Sequence, residues 1–116
     1  MIHITVPDMN DSVGRITLAG TEFNIRFTYN AEYNYWSFGI YDVHMGPIMP
    51  MTKIVPNIDL YTYYVYTDLP KGIFACWSAL DRIGRDDFNN GKAKFGFITY
   101  DEIIAAGEEM GLAESS

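Results

Sequence analysis

Cysteine is almost absent, since Cys76 is the only one among 116 residues. One thiol excludes an intramolecular disulfide, and with no cluster at zinc-ligand spacing the chain reads as built for a reducing interior or cytoplasmic assembly. Long apolar runs are also missing. No stretch approaches the ~18 residues of a membrane span, and the opening MIHITVPDMND lacks the basic start and apolar centre of a signal peptide, so no membrane contact and no leader are expected. Positive charge is scarce: eight Lys and Arg stand against fifteen Asp and Glu, a formal net charge of -7. Residues 101–116 hold five of those acids and no base, which leaves ten acids against eight bases in the rest. Without a basic stripe to neutralise phosphates, no specific nucleic-acid binding is expected.

What the chain has in excess is aromatic rings, with nine Tyr, seven Phe and two Trp. A chain this size buries roughly two-thirds of the surface its unfolded form exposes, enough for one core without metals or disulfides. One small core has limited room for so many rings, and tyrosine favours half-wet contact surfaces, so part of the aromatic surplus is expected at interfaces.

Residues 22–56 organise the rest. Phe23, Ile25, Phe27 and Tyr29 alternate with Asn24, Arg26 and Thr28, the period of a strand with one buried and one wet face, and Trp36, Phe38 and Ile40 repeat it. The polar connection 30–34 folds the two runs into an antiparallel hairpin. A second turn over 42–46 leads to a third, irregular strand over 47–55. Pro47 and Pro50 mark it as an edge strand or a bulge, because proline cannot donate to a ladder.

Shorter strands are expected over 2–6, 13–18, 72–79 (buried on both faces) and 94–100, with 81–92 as a long surface loop. The tyrosine-rich run 60–67 fits an edge strand or a packed loop equally. Asp101 can start a helix that Gly107 and Gly111 weaken, with Ile103 and Ile104 giving one docked turn. The expected architecture is all-β: about seven strands in one small antiparallel sandwich or open barrel over 1–100, then a short helical turn and flexible acidic tail over 101–116.

No residue carries a convincing catalytic, cofactor-binding or metal-binding signal. His3 falls on the polar face of a terminal strand and His44 in a turn, while Cys76 lies in an apolar run with no base near it in sequence, as an inert buried thiol does. Asp81, Asp86 and Asp87 with Arg82 and Arg85 lack calcium-loop spacing, and a loop of mixed sign more often supplies internal or intersubunit ion pairs. Tyr33, Tyr35 and Trp36 suggest a stacking platform for sugar, the basis of an alternative reading as a small carbohydrate-binding sandwich. Trp36 shares a face with Phe38 and Ile40, however, and core packing suits it better. Met45, Met49 and Met51 offer adaptable apolar surface that either meets a neighbouring subunit or fills a core gap. The candidate interface residues are therefore Tyr33, Tyr35, Met49, Met51, Tyr61, Tyr63, Tyr64, Tyr66, Arg82 and Arg85.

The succession FNIRFTYNAEYNYWSFGIYD, GPI, KIVPNIDL, LPKG, GRDDF and FGFITY, in that order over roughly residues 13–100, resembles the small phage protein family of the baseplate plug of a contractile-tailed cyanophage. Each motif is short, and their shared order carries the likeness. The resemblance implies a non-enzymatic virion protein near the axis of the tail baseplate, assembled in the host cytoplasm, with inner tube, hub and spike proteins as neighbours. It brings no catalytic residues. Self-association as a ring or trimer fits an axial position, and the acidic tail would repel DNA phosphates in a conduit for the genome.

Overall fold

The computed structural model describes residues 2–57, 69–70 and 72–109, with side chains to residue 105. The run 60–67, with Tyr61, Tyr63, Tyr64 and Tyr66, and the tail beyond 109 lie outside the described residues. Among the described residues, seven strands form two antiparallel sheets that do not close into a barrel, and one helix follows. The four-stranded sheet has the order β2 (Asp11–Leu18), β3 (Thr21–Asn30), β4 (Tyr35–Tyr41), β5 (Pro47–Lys53). The other has the order β1 (Ile2–Ile4), β7 (Ala93–Thr99), β6 (Gly72–Ser78).

The expected hairpin is β3–β4, with Ile25 opposite Ile40 and Phe27 opposite Phe38. Because the side-chain period is two, this register puts all four on the inner face, where they are buried. Phe74, Phe95 and Phe97 of the second sheet meet them. The Phe38 ring lies 4.9 Å from Phe95 and 5.0 Å from Phe74, and Phe27 meets Phe95 edge-on at 5.5 Å. Such tilted pairs each add about 0.5–1.5 kcal/mol beyond area burial, so the rings fix the stacking of the sheets as well as filling the space between them.

The turns follow from local chemistry. Ala19 and Gly20, at φ 48° and 84°, connect β2 and β3 in the two-residue form whose twist matches a hairpin. After β4, Asp42 Oδ1 accepts from the backbone N–H groups of His44 and Gly46, which ties the expected turn to one carboxylate. β5 is the irregular edge strand its prolines announce, with register shifts on both sides of Ile40. Gly39 leaves room for Met51 there, since a Cβ would stand 2.7 Å from Met51 Sδ and 3.3 Å from the Met49 carbonyl.

Several expectations need correction. Asn24 is buried, although its place in the alternation is on the wet face; its Nδ2 donates to the Asp42 carbonyl, and Arg15 Nε donates to its Oδ1. The 81–92 segment is more than a surface loop. Ile83 is buried in the core, and the Gly84 carbonyl accepts the indole N–H of Trp36 at 3.1 Å, so the segment covers one end of the sandwich. β1 ends at Ile4, and β7 ends at Thr99 because Thr99 caps the helix. Thr99 Oγ1 accepts from the Glu102 N–H, and Glu102 Oε1 accepts from the Thr99 N–H and hydroxyl, a reciprocal capping box. Helix α1 (Tyr100–Glu109) is thus longer than one turn, and Ile103 and Ile104, 36% and 41% exposed, are not docked.

Candidate interaction surface

The β3–β4 turn places the first candidate contacts. Asn30 Oδ1 accepts from the Tyr33 N–H, the Tyr29 hydroxyl donates to Asn34 Oδ1, and Asn34 takes φ 54°. This fixed loop holds Tyr33 out into solvent, 65% exposed. Tyr35 comes next on the outer face of β4, since Trp36 points inward. Across the bulged β4–β5 pairing, Lys53 Nζ lies 5.1 Å from the centre of the Tyr35 ring, a cation–π contact that orients both.

Tyr35 and Lys53 form one wall of a hollow of about 200 Å³ whose other sides are Ile54, Pro56, Asp81 and Arg82. The structure therefore brings Tyr35 and Arg82, 47 positions apart in sequence, to one site. Two cations and one carboxylate give this hollow a net positive mouth on an acidic protein, with an aromatic wall and an apolar floor. That combination suits a protein surface carrying carboxylates or backbone carbonyls. Met51 lies half-buried on the same sheet, over Gly39.

Two of the candidate contacts are placed elsewhere. Met49 is 1% exposed and fills the core beside Ile40, the alternative open to it from the start; the shift of register on β5 sends it inward. Arg85 is engaged within the chain. Its Nη1 donates to Asp8 Oδ1 at 2.8 Å, its Nε donates to Asn10 Oδ1 at 2.6 Å, and its guanidinium lies over the Trp36 ring at 5.4 Å. It clamps the 81–92 segment to the β1–β2 connection. Trp36 itself is fully buried, so it takes no part in a stacking platform with Tyr33 and Tyr35. Lys53 is a member of the site that sequence reasoning missed. Its signal, a lysine on an edge strand after a tyrosine-bearing strand, needs a register that the bulges hide.

His3 and His44 are exposed, and Cys76 is buried where loss of hydration pushes its thiol up to about 11. Among the described residues no three His, Cys, Asp or Glu side chains are grouped to hold a metal ion, and no helix is long and apolar enough to cross a membrane.

No curated protein matches the chain. The family described as cyanophage baseplate Pam3 plug gp18 matches residues 1–101, which takes in both sheets and every strand of the sandwich. With 101 of its 116 residues matched, the chain belongs to the cyanophage baseplate plug family.

Proposed function

We propose that the protein is a non-enzymatic structural component of a contractile phage tail baseplate, a plug near the tail axis that contacts inner tube, hub and spike proteins. The observation that carries this reading is the family match over residues 1–101. The hollow lined by Tyr35, Lys53 and Arg82, a ring beside two cations, supports the reading, because a few rings and guanidinium groups dominate binding energy at protein interfaces; Tyr33 and Met51 are taken as further contacts. In this reading the protein is assembled in the host cytoplasm and retained in the virion tail.

Co-purification of the full chain with tube, hub and spike proteins tests the assignment. Retention of the wild type, with loss of about tenfold or more in affinity for Tyr35→Ala combined with Arg82→Ala, supports it. Failure to associate with any tail protein, or ring-dependent binding of the isolated protein on a glycan array, overturns it.

A further inference from the structure

Among the described residues four strand edges bound the two sheets, and three are blunted. β1 has only three residues. β5 carries Pro47 and Pro50, register shifts and the exposed Lys53. β6 is tied along its free side by Asn57, whose backbone N–H donates to the Cys76 carbonyl and whose Nδ2 donates to the Ser78 carbonyl. β2 is different. It runs eight residues in unbroken register with β3, contains no proline, and has no strand on its other side among the described residues. A long edge with no proline and no bulge, whose two charges are of opposite sign, invites a strand of complementary charge.

The hydrogen-bond phase of that edge can be read. The Tyr29 N–H donates to the Asn10 carbonyl at 2.8 Å, which makes Asn10–Tyr29 a hydrogen-bonded pair; by alternation the even positions of β2 bond to β3, and Asp11, Val13, Arg15 and Thr17 direct their N–H and C=O groups outward. The side chains of the same four residues share the outer face. Val13 stands at the middle, 52% exposed, with an acid two positions before it and a base two positions after it.

We propose that β2 pairs antiparallel with β2 of a second copy of this chain, about a two-fold axis through Val13. This register joins outward-directed groups to outward-directed groups. It sets Val13 against Val13 of the second copy and Asp11 against its Arg15, twice by symmetry. A shift of two residues in either direction loses the opposition of charges. Within each chain Asp11 already accepts from Arg26 at 2.7 Å and Arg15 donates to Glu22 at 3.0 Å, so pairing creates a row of alternating charge, Arg26–Asp11 followed by Arg15–Glu22 of the second copy. On the inner face Ser12, whose buried Oγ has no hydrogen-bond partner, faces Gly14 of the second copy, where a Cβ position meets nothing within 4 Å. The contact is isologous and closes at two copies, so it belongs to the free protein and stands apart from any cyclic arrangement about a tail axis. It does not rest on the baseplate reading.

Sedimentation equilibrium of the full-length protein, from micromolar to millimolar concentration, tests the pairing. The wild type is expected to dimerise reversibly. Val13→Pro removes an outward N–H that β3 does not use, and is expected to weaken the dimer about tenfold or more while the chain stays folded by circular dichroism. Asp11→Lys and Arg15→Glu are each expected to weaken self-association, because like charges then face each other. An equimolar mixture of the two is expected to dimerise more tightly than either variant alone, since the introduced lysine faces the introduced glutamate and Arg15 faces Asp11. That mixed dimer has the same total charge as the wild-type dimer, so only placement explains a rescue. A monomer throughout the range, a proline variant that dimerises as tightly as the wild type, or a mixture no tighter than its components overturns the proposal.

Discussion

The two long sides of the sandwich are built differently. On one side the chain continues from β5, where the Ile54 N–H donates to the Trp36 carbonyl, to Asn57, which makes three hydrogen bonds to Cys76 and Ser78 of β6. There the segment leaving one sheet is hydrogen-bonded along the outer side of an edge strand of the other. On the other side β1 and β2 flank a groove of about 190 Å³ that includes Ile4, Ile16, Ile25 and Phe27, with the unpartnered Ser12 hydroxyl beside it. Both sides have strand edges carrying polar backbone groups, and such groups are costly to bury unpaired. Where the described residues supply partners the sandwich is closed; where they supply none, the edge can take a strand of another molecule. The closed side gives stability, and the open side offers association.

The largest expected effect lies on the closed side. Trp36 is buried, edge-on to Phe88 at 6.0 Å, and bonded to the Gly84 carbonyl, so Trp36→Ala opens a cavity and releases the 81–92 segment together. A loss of about 3–5 kcal/mol is expected in urea unfolding. Trp36→Phe keeps most of the volume and costs about 1–3 kcal/mol for the unpaired carbonyl. Ile16 is half-buried at the open groove, and Ile16→Ala should cost less than about 2 kcal/mol. Equal losses for Trp36→Ala and Ile16→Ala would break the contrast.

A smaller effect isolates the link itself. Asn57 has φ 61°, a left-handed conformation that asparagine tolerates better than alanine does. Asn57→Gly removes the side-chain bonds to Ser78 without backbone strain, while Asn57→Ala removes them and adds strain. Thermal melts should rank wild type above Gly above Ala, with Ala lower than Gly by about 1 kcal/mol. If Gly and Ala are equal, the positive φ is not what holds this crossing in place.

These pairs also separate what the sequence reveals from what it hides. The inner faces of β3 and β4 are legible because Phe23, Ile25 and Phe27, then Trp36, Phe38 and Ile40, keep a period of two that only one register buries. The irregular edge is legible because proline has one physical meaning in a ladder. The fate of the methionines on that edge is not, since two register shifts decide that Met49 turns inward and Met51 covers Gly39. Ile83 is one apolar residue among charges, and the neighbouring Gly84 is held by Trp36, far away in sequence. Arg85 likewise finds Asn10 and Asp8 at separations of 75 and 77 residues, for which no local pattern exists. Of the candidate site, the residue types Tyr35 and Arg82 were readable, but their meeting was not. The helix start is the opposite case: Thr99 three positions before Glu102 is a capping signal in plain view, outweighed by the strand reading that runs through Tyr100.

The smallest effect concerns the outer face of the open edge. Arg26 donates to both carboxylate oxygens of Asp11, at 3.0 and 2.7 Å, and these hydrogen bonds hold the Asp11 carboxyl below the usual carboxylate range, against a slight opposing push from lost hydration and with help from the Arg26 charge. In the unfolded chain the carboxyl returns to its ordinary value. A group whose pKa is depressed by folding adds stability that is fully present above its unfolded pKa and lost as pH falls through the folded one. The stability gap between wild type and Asp11→Asn should therefore narrow as pH is lowered through the acid range, and should shrink in high salt because the pair is exposed. Carboxyl NMR titration gives the direct reading: Asp11 should titrate below an ordinary aspartate, and lower still at protein concentrations where Arg15 of a second copy stands opposite it. A normal Asp11 pKa at low concentration would mean that Arg26 does not fix the charge pattern of this edge. A depressed pKa that does not respond to concentration would leave the intrachain pair intact and remove the second copy from the picture.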